Sequence, residues 1–148
     1  MIALIQRVSQ AHVEVEQEVV GRIGAGLLAL VAVERGDGEA QVRRMLERIL
    51  GYRVFGDDEG RMNRSLRDTG GGLLLVSQFT LAADTSSGMR AGFSGAASPE
   101  QGERWFGHLV DLARIAHAEV ETGRFRTHMK VHLVNDGPVT FQLRVAPD

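Results

Sequence analysis

Two apolar runs set the terms for this chain. Residues 27–33 read Leu-Leu-Ala-Leu-Val-Ala-Val, with no polar residue to mark a wet face. A continuous run of this length is a strand buried on both faces rather than one side of an alternating strand. Residues 73–81 read Leu-Leu-Leu-Val-Ser-Gln-Phe-Thr-Leu, an apolar strand with polar residues near its end. Gly24-Ala25-Gly26 breaks the pattern before the first run, and Gly70-Gly71-Gly72 before the second.

The other segments supply what can surround these runs. Residues 2–8 and the alternating 11–15 read as strands, and Val19 to Ile23 can pair back after a polar turn near Gln17. Val42, Met45, Leu46, Ile49 and Leu50 recur at helical spacing, which predicts an amphipathic helix over 39–51. Tyr52 to Phe55 reads as a strand, closed by a turn at residues 57–60. Residues 82–97 form a long loop, and loops of that length in compact domains are often functional. Ser98-Pro99-Glu100-Gln101 is a helix start: Ser at the N-cap, Pro at the first position, Gln three after the cap. That helix extends to about 117. Strand-like segments follow at 118–122, 128–134 and 139–145, with a turn at residues 135–138 between the last two. The order predicts a single α+β domain over 1–148, with a mostly antiparallel, barrel-like sheet and two main helices.

At 148 residues the chain fits one domain and has enough core to fold without staples. It has no cysteine, which excludes disulfide and thiolate chemistry. The net charge of −2 argues against a protein that coats nucleic acid, though not against a local basic patch. Lys130 is the only lysine, and this arginine skew fits either phosphate contacts or coding bias. No apolar stretch is long enough to span a membrane. Residues 1–6 lack the basic region and apolar block of a signal peptide, so a cytoplasmic location is expected.

Several common chemistries are missing. No nucleophile elbow or P-loop occurs, and Gly24-Ala25-Gly26 is followed by a strand rather than the helix of a dinucleotide fingerprint. His128 and His132 are four apart on a predicted strand, a span of roughly 13 Å, too far for one metal ion. Glu119 and Glu121 share a strand face and read as solvated. Neither a metal nor a cofactor is expected. Two polar segments remain. Ser77-Gln78-Phe79-Thr80-Leu81 either lines a pocket at a strand end or leaves the core with its hydroxyls on backbone. Alternation would put Ser77 and Phe79 on one face, Gln78 and Thr80 on the other. Asn135-Asp136-Gly137-Pro138-Val139-Thr140 is either a hairpin loop or a site where another molecule approaches glycine backbone closely.

Taken together, these two segments resemble the D-aminoacyl-tRNA deacylase family, whose paired signatures are Ser-Gln-Phe-Thr-Leu and Asn-x-Gly-Pro-x-Thr. The resemblance covers nearly the whole chain. It includes the opening Met1 to Val8, Leu50-Gly51-Tyr52-Arg53-Val54-Phe55, Ala82-Ala83-Asp84-Thr85 and Thr122-Gly123-Arg124-Phe125. One departure stands after Met89-Arg90, where Ala91-Gly92-Phe93-Ser94 replaces the usual Pro-Ser-Phe-Ser and loosens the loop. The resemblance implies hydrolysis of the ester between a D-amino acid, or glycine, and the 3′-terminal adenosine of tRNA. It implies a homodimer in which a cis Gly137–Pro138 motif reaches into the partner's pocket and blocks L side chains. It assigns catalytic roles to Ser77, Gln78, Phe79 and Thr80. Substrate binding falls to Gly137, Pro138, Asn135 and Met129, with Arg7 bracing the motif. Two mechanisms stay open: Thr80 as nucleophile, or water activated by the substrate's ribose 2′-OH. A non-catalytic nucleic-acid-binding module and a general esterase are the rival functions.

Overall fold

The computed structural model describes residues 1–148. Its spine is a single long strand, β1 (Ile2–Val15), which absorbs both strand-like segments at the start of the chain. β2 (Glu18–Ile23) turns back antiparallel on its second half, after Glu16 and Gln17 adopt positive φ. β3 (Gly26–Ala32) pairs antiparallel with its first half. One edge of β1 therefore serves two strands in succession.

From β3 the chain leaves the sheet. Helix α1 (Glu39–Gly51) has the expected bounds and buries Val42, Met45, Leu46, Ile49 and Leu50. A small hairpin, β4 (Phe55–Gly56) with β5 (Met62–Arg64), comes next. The one-turn helix α2 (Leu66–Thr69) leads back. β6 (Gly72–Ser77) then joins β3 in parallel. A second excursion runs through a 3₁₀ turn (Phe79–Ala82) and helix α3 (Pro99–Ala116), whose N-cap Ser98 accepts from the Gln101 N–H. β7 (Val120–Thr122) returns parallel to β6. The last strand, β8 (Lys130–Arg144), pairs antiparallel along the free edge of β1.

The α+β single domain and the two main helices are as expected, and all three pairings of β1 are antiparallel, but the sheet is mixed because β6 joins β3 and β7 joins β6 in parallel. Both helical excursions are crossover connections, and a crossover delivers the next strand parallel to the last. The run at 27–33 explains itself in this setting. Leu27, Ala29 and Val31 pack into a core under the helices, and Leu28 packs into a second core on the opposite face. β6 does the same, with Leu73 and Leu75 on one side and Leu74 and Val76 on the other.

The sheet comes close to shutting into a barrel where β2 meets β7. An added Cβ at Gly21 would lie 2.3 Å from the Thr122 carbonyl oxygen, so the two backbones touch directly. At the other end, Glu34 follows β3 and receives both the Met1 ammonium and the Arg144 guanidinium. Burial pushes the Glu34 carboxyl up, but these two cations outweigh it and hold the carboxyl below its usual range. That contribution is fully present above the unfolded carboxylate range and is lost as pH falls through the lowered value. Replacing Arg144 with Gln should therefore move the acid-unfolding midpoint, followed by circular dichroism, to higher pH. Gly21→Ala should cost about 1–3 kcal/mol, the usual cost of forcing a methyl into packed backbone, and lower Tm in a thermal melt.

Candidate active site

The parallel pair decides where a ligand fits. In open α/β sheets ligands sit beyond the carboxyl ends of parallel strands, where crossovers leave a crevice. Here Val33 follows β3 and Ser77 ends β6, and a cavity of about 560 Å³ opens just past them. The volume lies within the range of small-molecule sites. Its walls come from the end of β6, the N-terminal turn of α3 with Ser98 and Pro99, and the segment from Phe125 to Met129 ahead of β8.

Ser77, Gln78 and Phe79 line this cavity, as does Met129. Their arrangement differs from the expected alternation, because β6 stops at Ser77 and the chain tightens into the 3₁₀ turn. The Gln78 N–H still donates to the Val31 carbonyl at 2.7 Å, which ties the strand end to β3. The bonds of the turn start with the Leu81 N–H on the Gln78 carbonyl. The N–H groups of Phe79 and Thr80 therefore stand ahead of its first bond, at the open end. The Gln78 side-chain amide donates to the Thr80 hydroxyl oxygen. Phe79 is 59% exposed, and its ring packs on Phe93 of the long loop at a centroid distance of 5.2 Å.

The second motif is not a turn between two strands. β8 runs unbroken through it. Thr140 pairs with Gln6 and Asn135 with Val8, so residues 136–139 bulge out opposite Arg7 alone. Side chains at both ends close the bulge. Asn135 donates to the Thr140 hydroxyl at 2.8 Å and accepts from the Val139 N–H at 3.1 Å. Arg7 braces it from behind, donating to the Asp136 carbonyl at 3.0 Å and to the Val54 carbonyl at 2.8 Å. Gly137 has φ +134°, a conformation that L side chains rarely adopt, and an added Cβ would lie 2.8 Å from Val139 Cγ2. The Gly137–Pro138 bond is cis.

Each motif is assembled, but one chain does not bring the two together. Ser77 stands level with Val31 and Ala3, whereas Arg7 stands level with Leu27. Four residues along β1 is roughly 13 Å. Val139 packs on the helix-side core, while Met129 packs on the opposite one. No bulge residue lines the cavity. Reasoning from the sequence missed Phe125, Arg126 and His128, which also line it. The one available signal was Thr122-Gly123-Arg124-Phe125. An added Cβ at Gly123 would lie 2.6 Å from Met129 Sδ, so glycine is what leaves that side chain its place.

Comparison with known proteins finds relatives in both sequence and fold. The D-Tyr-tRNA(Tyr) deacylase family model matches residues 4–144. A D-aminoacyl-tRNA deacylase of Stenotrophomonas maltophilia strain K279a is 70% identical over 145 residues, covering 97% of this chain and 99% of that protein. One from Alkalilimnicola ehrlichii is 66% identical over 147 residues, covering 99% and 98%. Among solved structures, a c-Myc DNA Unwinding Element Binding Protein superposes with TM-score 0.95 at 34% identity, covering 99% of each chain. A probable eukaryotic D-amino acid tRNA deacylase shares the fold, with TM-score 0.78 at 17% identity over 96% of this chain and 98% of that one. With both signature motifs folded into defined sites and the family model spanning almost its whole length, the chain belongs to the D-Tyr-tRNA(Tyr) deacylase family.

Proposed function

We propose that this protein hydrolyses the ester of D-aminoacyl-tRNA, releasing the free D-amino acid and tRNA, and that it discriminates by handedness rather than by side chain. The observation that carries the proposal is the bulge at residues 136–139. It is main chain held from both ends and from behind, and Asp136, Gly137 and Pro138 are all exposed. Rigid backbone rejects a misfitting substituent by collision, which discriminates more sharply than fitting one methylene does. An L side chain would meet the bulge, a D side chain would point away, and glycine would pass.

The gate and the cavity meet only between two copies of the chain. β8 supports this arrangement. It is an edge strand of 15 residues, with Val134 49% exposed and Phe141 36% exposed. A long exposed edge with apolar residues is a surface that pairs with another strand edge unless something covers it. A homodimer that seats each bulge in the other's cavity covers it and completes both sites. The substrate end would be the 3′-terminal aminoacyl-adenosine, and we place the reaction in the cytoplasm. No helix is long and apolar enough to cross a membrane.

An activated ester needs a placed water and a stabilised oxyanion. The Phe79 and Thr80 N–H groups are our oxyanion donors. The Thr80 hydroxyl is held by an amide, which takes no proton, so it lacks the adjacent base that a hydroxyl nucleophile requires. The ribose 2′-OH of the substrate then orients the water, with Gln78 and Thr80 in binding roles.

Release of D-tyrosine from charged tRNA should proceed, and release of L-tyrosine should be at background. Gly137→Ala should cut the ratio of D to L kcat/KM at least about tenfold, a loss of ~1.4 kcal/mol of discrimination. Thr80→Ala should keep most of the activity. A loss beyond about 10⁴-fold with binding retained would make Thr80 the nucleophile. Substrate ending in 2′-deoxyadenosine should turn over poorly, and normal turnover would end the ribose-assisted route.

A further inference from the structure

The pairing of β1 with β8 assembles a cluster that neither motif uses. His12 lies directly opposite His132, and Glu14 is two residues beyond His12 on the same face. The two imidazole rings stack, with centroids 4.3 Å apart and planes 10° from parallel. A single oxygen of Glu14, Oε1, lies 3.4 Å from His12 Nε2 and 3.3 Å from His132 Nε2. All three donor atoms lie within 4.8 Å of one another.

We infer that His12, Glu14 and His132 bind one divalent transition-metal ion, zinc by preference. The spacing carries the inference. Zinc bonds to imidazole nitrogen and carboxylate oxygen at about 2.0–2.1 Å, so neighbouring ligands of a tetrahedral site stand about 3.3–3.4 Å apart. Two edges of the ligand triangle already have that length. The third, between the two Nε2 atoms, closes by rotation of the partly exposed His12 and the exposed His132. Two imidazoles and one carboxylate suit zinc over magnesium or calcium, which take oxygen ligands.

The setting also fits a bound cation. The side chains of His12, His132 and Glu14 are 25%, 46% and 29% exposed, so the fourth ligand position faces solvent and takes water. The two histidines come from facing strands, so the ion would staple β8 to β1. That stretch joins Met129 at the cavity to Asn135 at the bulge.

The test uses the full chain, stripped with chelator and titrated with zinc chloride by calorimetry, with a thermal melt alongside. One zinc per chain should bind with micromolar affinity and raise Tm. His12→Ala and His132→Ala should each weaken binding by at least about 100-fold, the upper end of what loss of a mere supporting residue costs. Both should melt near the wild type without zinc, because both side chains are partly solvated. Should either fail to fold, His12→Gln and His132→Gln carry the same expectation. Magnesium chloride should give no saturable heat. Undiminished zinc binding in the double His variant, or no binding by the wild type below millimolar zinc, would leave the cluster a carboxylate-bridged imidazole pair. Charged tRNA plays no part in the measurement, so its outcome is independent of the deacylase proposal.

Discussion

Everything in this molecule hangs on β1 bonding along both of its edges. One edge holds β3 and then β2, and the other holds β8 for nearly its whole length. The β3 side extends through parallel partners to the cavity. The β8 side carries the bulge. Because β8 pairs with no other strand, the geometry of the bulge is set by the bonds of Asn135 within β8 and by what β1 offers, which at that level is Arg7. A four-residue interruption would normally loosen an edge strand. Here the Val139 N–H gains the Asn135 side chain and the Asp136 carbonyl gains the Arg7 guanidinium in place of ladder partners, and the main chain stays defined where it stands clear of the sheet.

Under the proposed function the two sites would divide the labour between kinds of group. The cavity has walls, a volume and the N-terminal end of a 3₁₀ turn, but none of its hydroxyls is hydrogen-bonded to an imidazole or a carboxylate. The bulge offers mainly backbone, and its one ionisable side chain, Asp136, lies 3.7 Å from the Arg7 guanidinium. Chemistry on an ester that is already activated needs placement more than proton transfer, and exclusion of the wrong hand needs a surface that does not yield. Backbone serves that purpose better than a side chain because no rotamer change relieves the clash. This accounts for a glycine at 137, where both φ and the nearness of Val139 forbid a side chain.

The sequence was most legible where local rules act alone. The spacing of Val42 through Leu50 located α1, and Ser98-Pro99 located the start of α3. The unbroken run at 27–33 announced a strand with two dry faces. What failed to show depended on partners far away in the chain. The parallel pairing of β6 and β7 follows from two crossovers, not from either strand's composition. Residues 135–138 have turn chemistry, yet the bonds from Asn135 and Arg7 turn that chemistry into a bulge inside one strand. The end of β6 was misjudged because Phe79 and Thr80 alternate plausibly with Ser77 while actually starting a 3₁₀ turn. The four-residue helix α2 is too short to carry a period. His12 and His132 meet only through register, and spacing had directed attention to His128 instead.

The central claim is that the gate of one subunit completes the cavity of another. Subunit mixing tests it most directly. A chain with Gly137→Val supplies a sound cavity and a spoiled gate, and a chain with Gln78→Ala and Phe79→Ala supplies the reverse. Each alone should be nearly inactive on D-tyrosyl-tRNA. Unfolded together and refolded, they should recover roughly a quarter of the wild-type rate, since half the two-fold dimers are mixed and each holds one intact site. If the mixture is as inactive as its parts while mixed dimers are demonstrably present, gate and cavity act within one chain and the account is wrong.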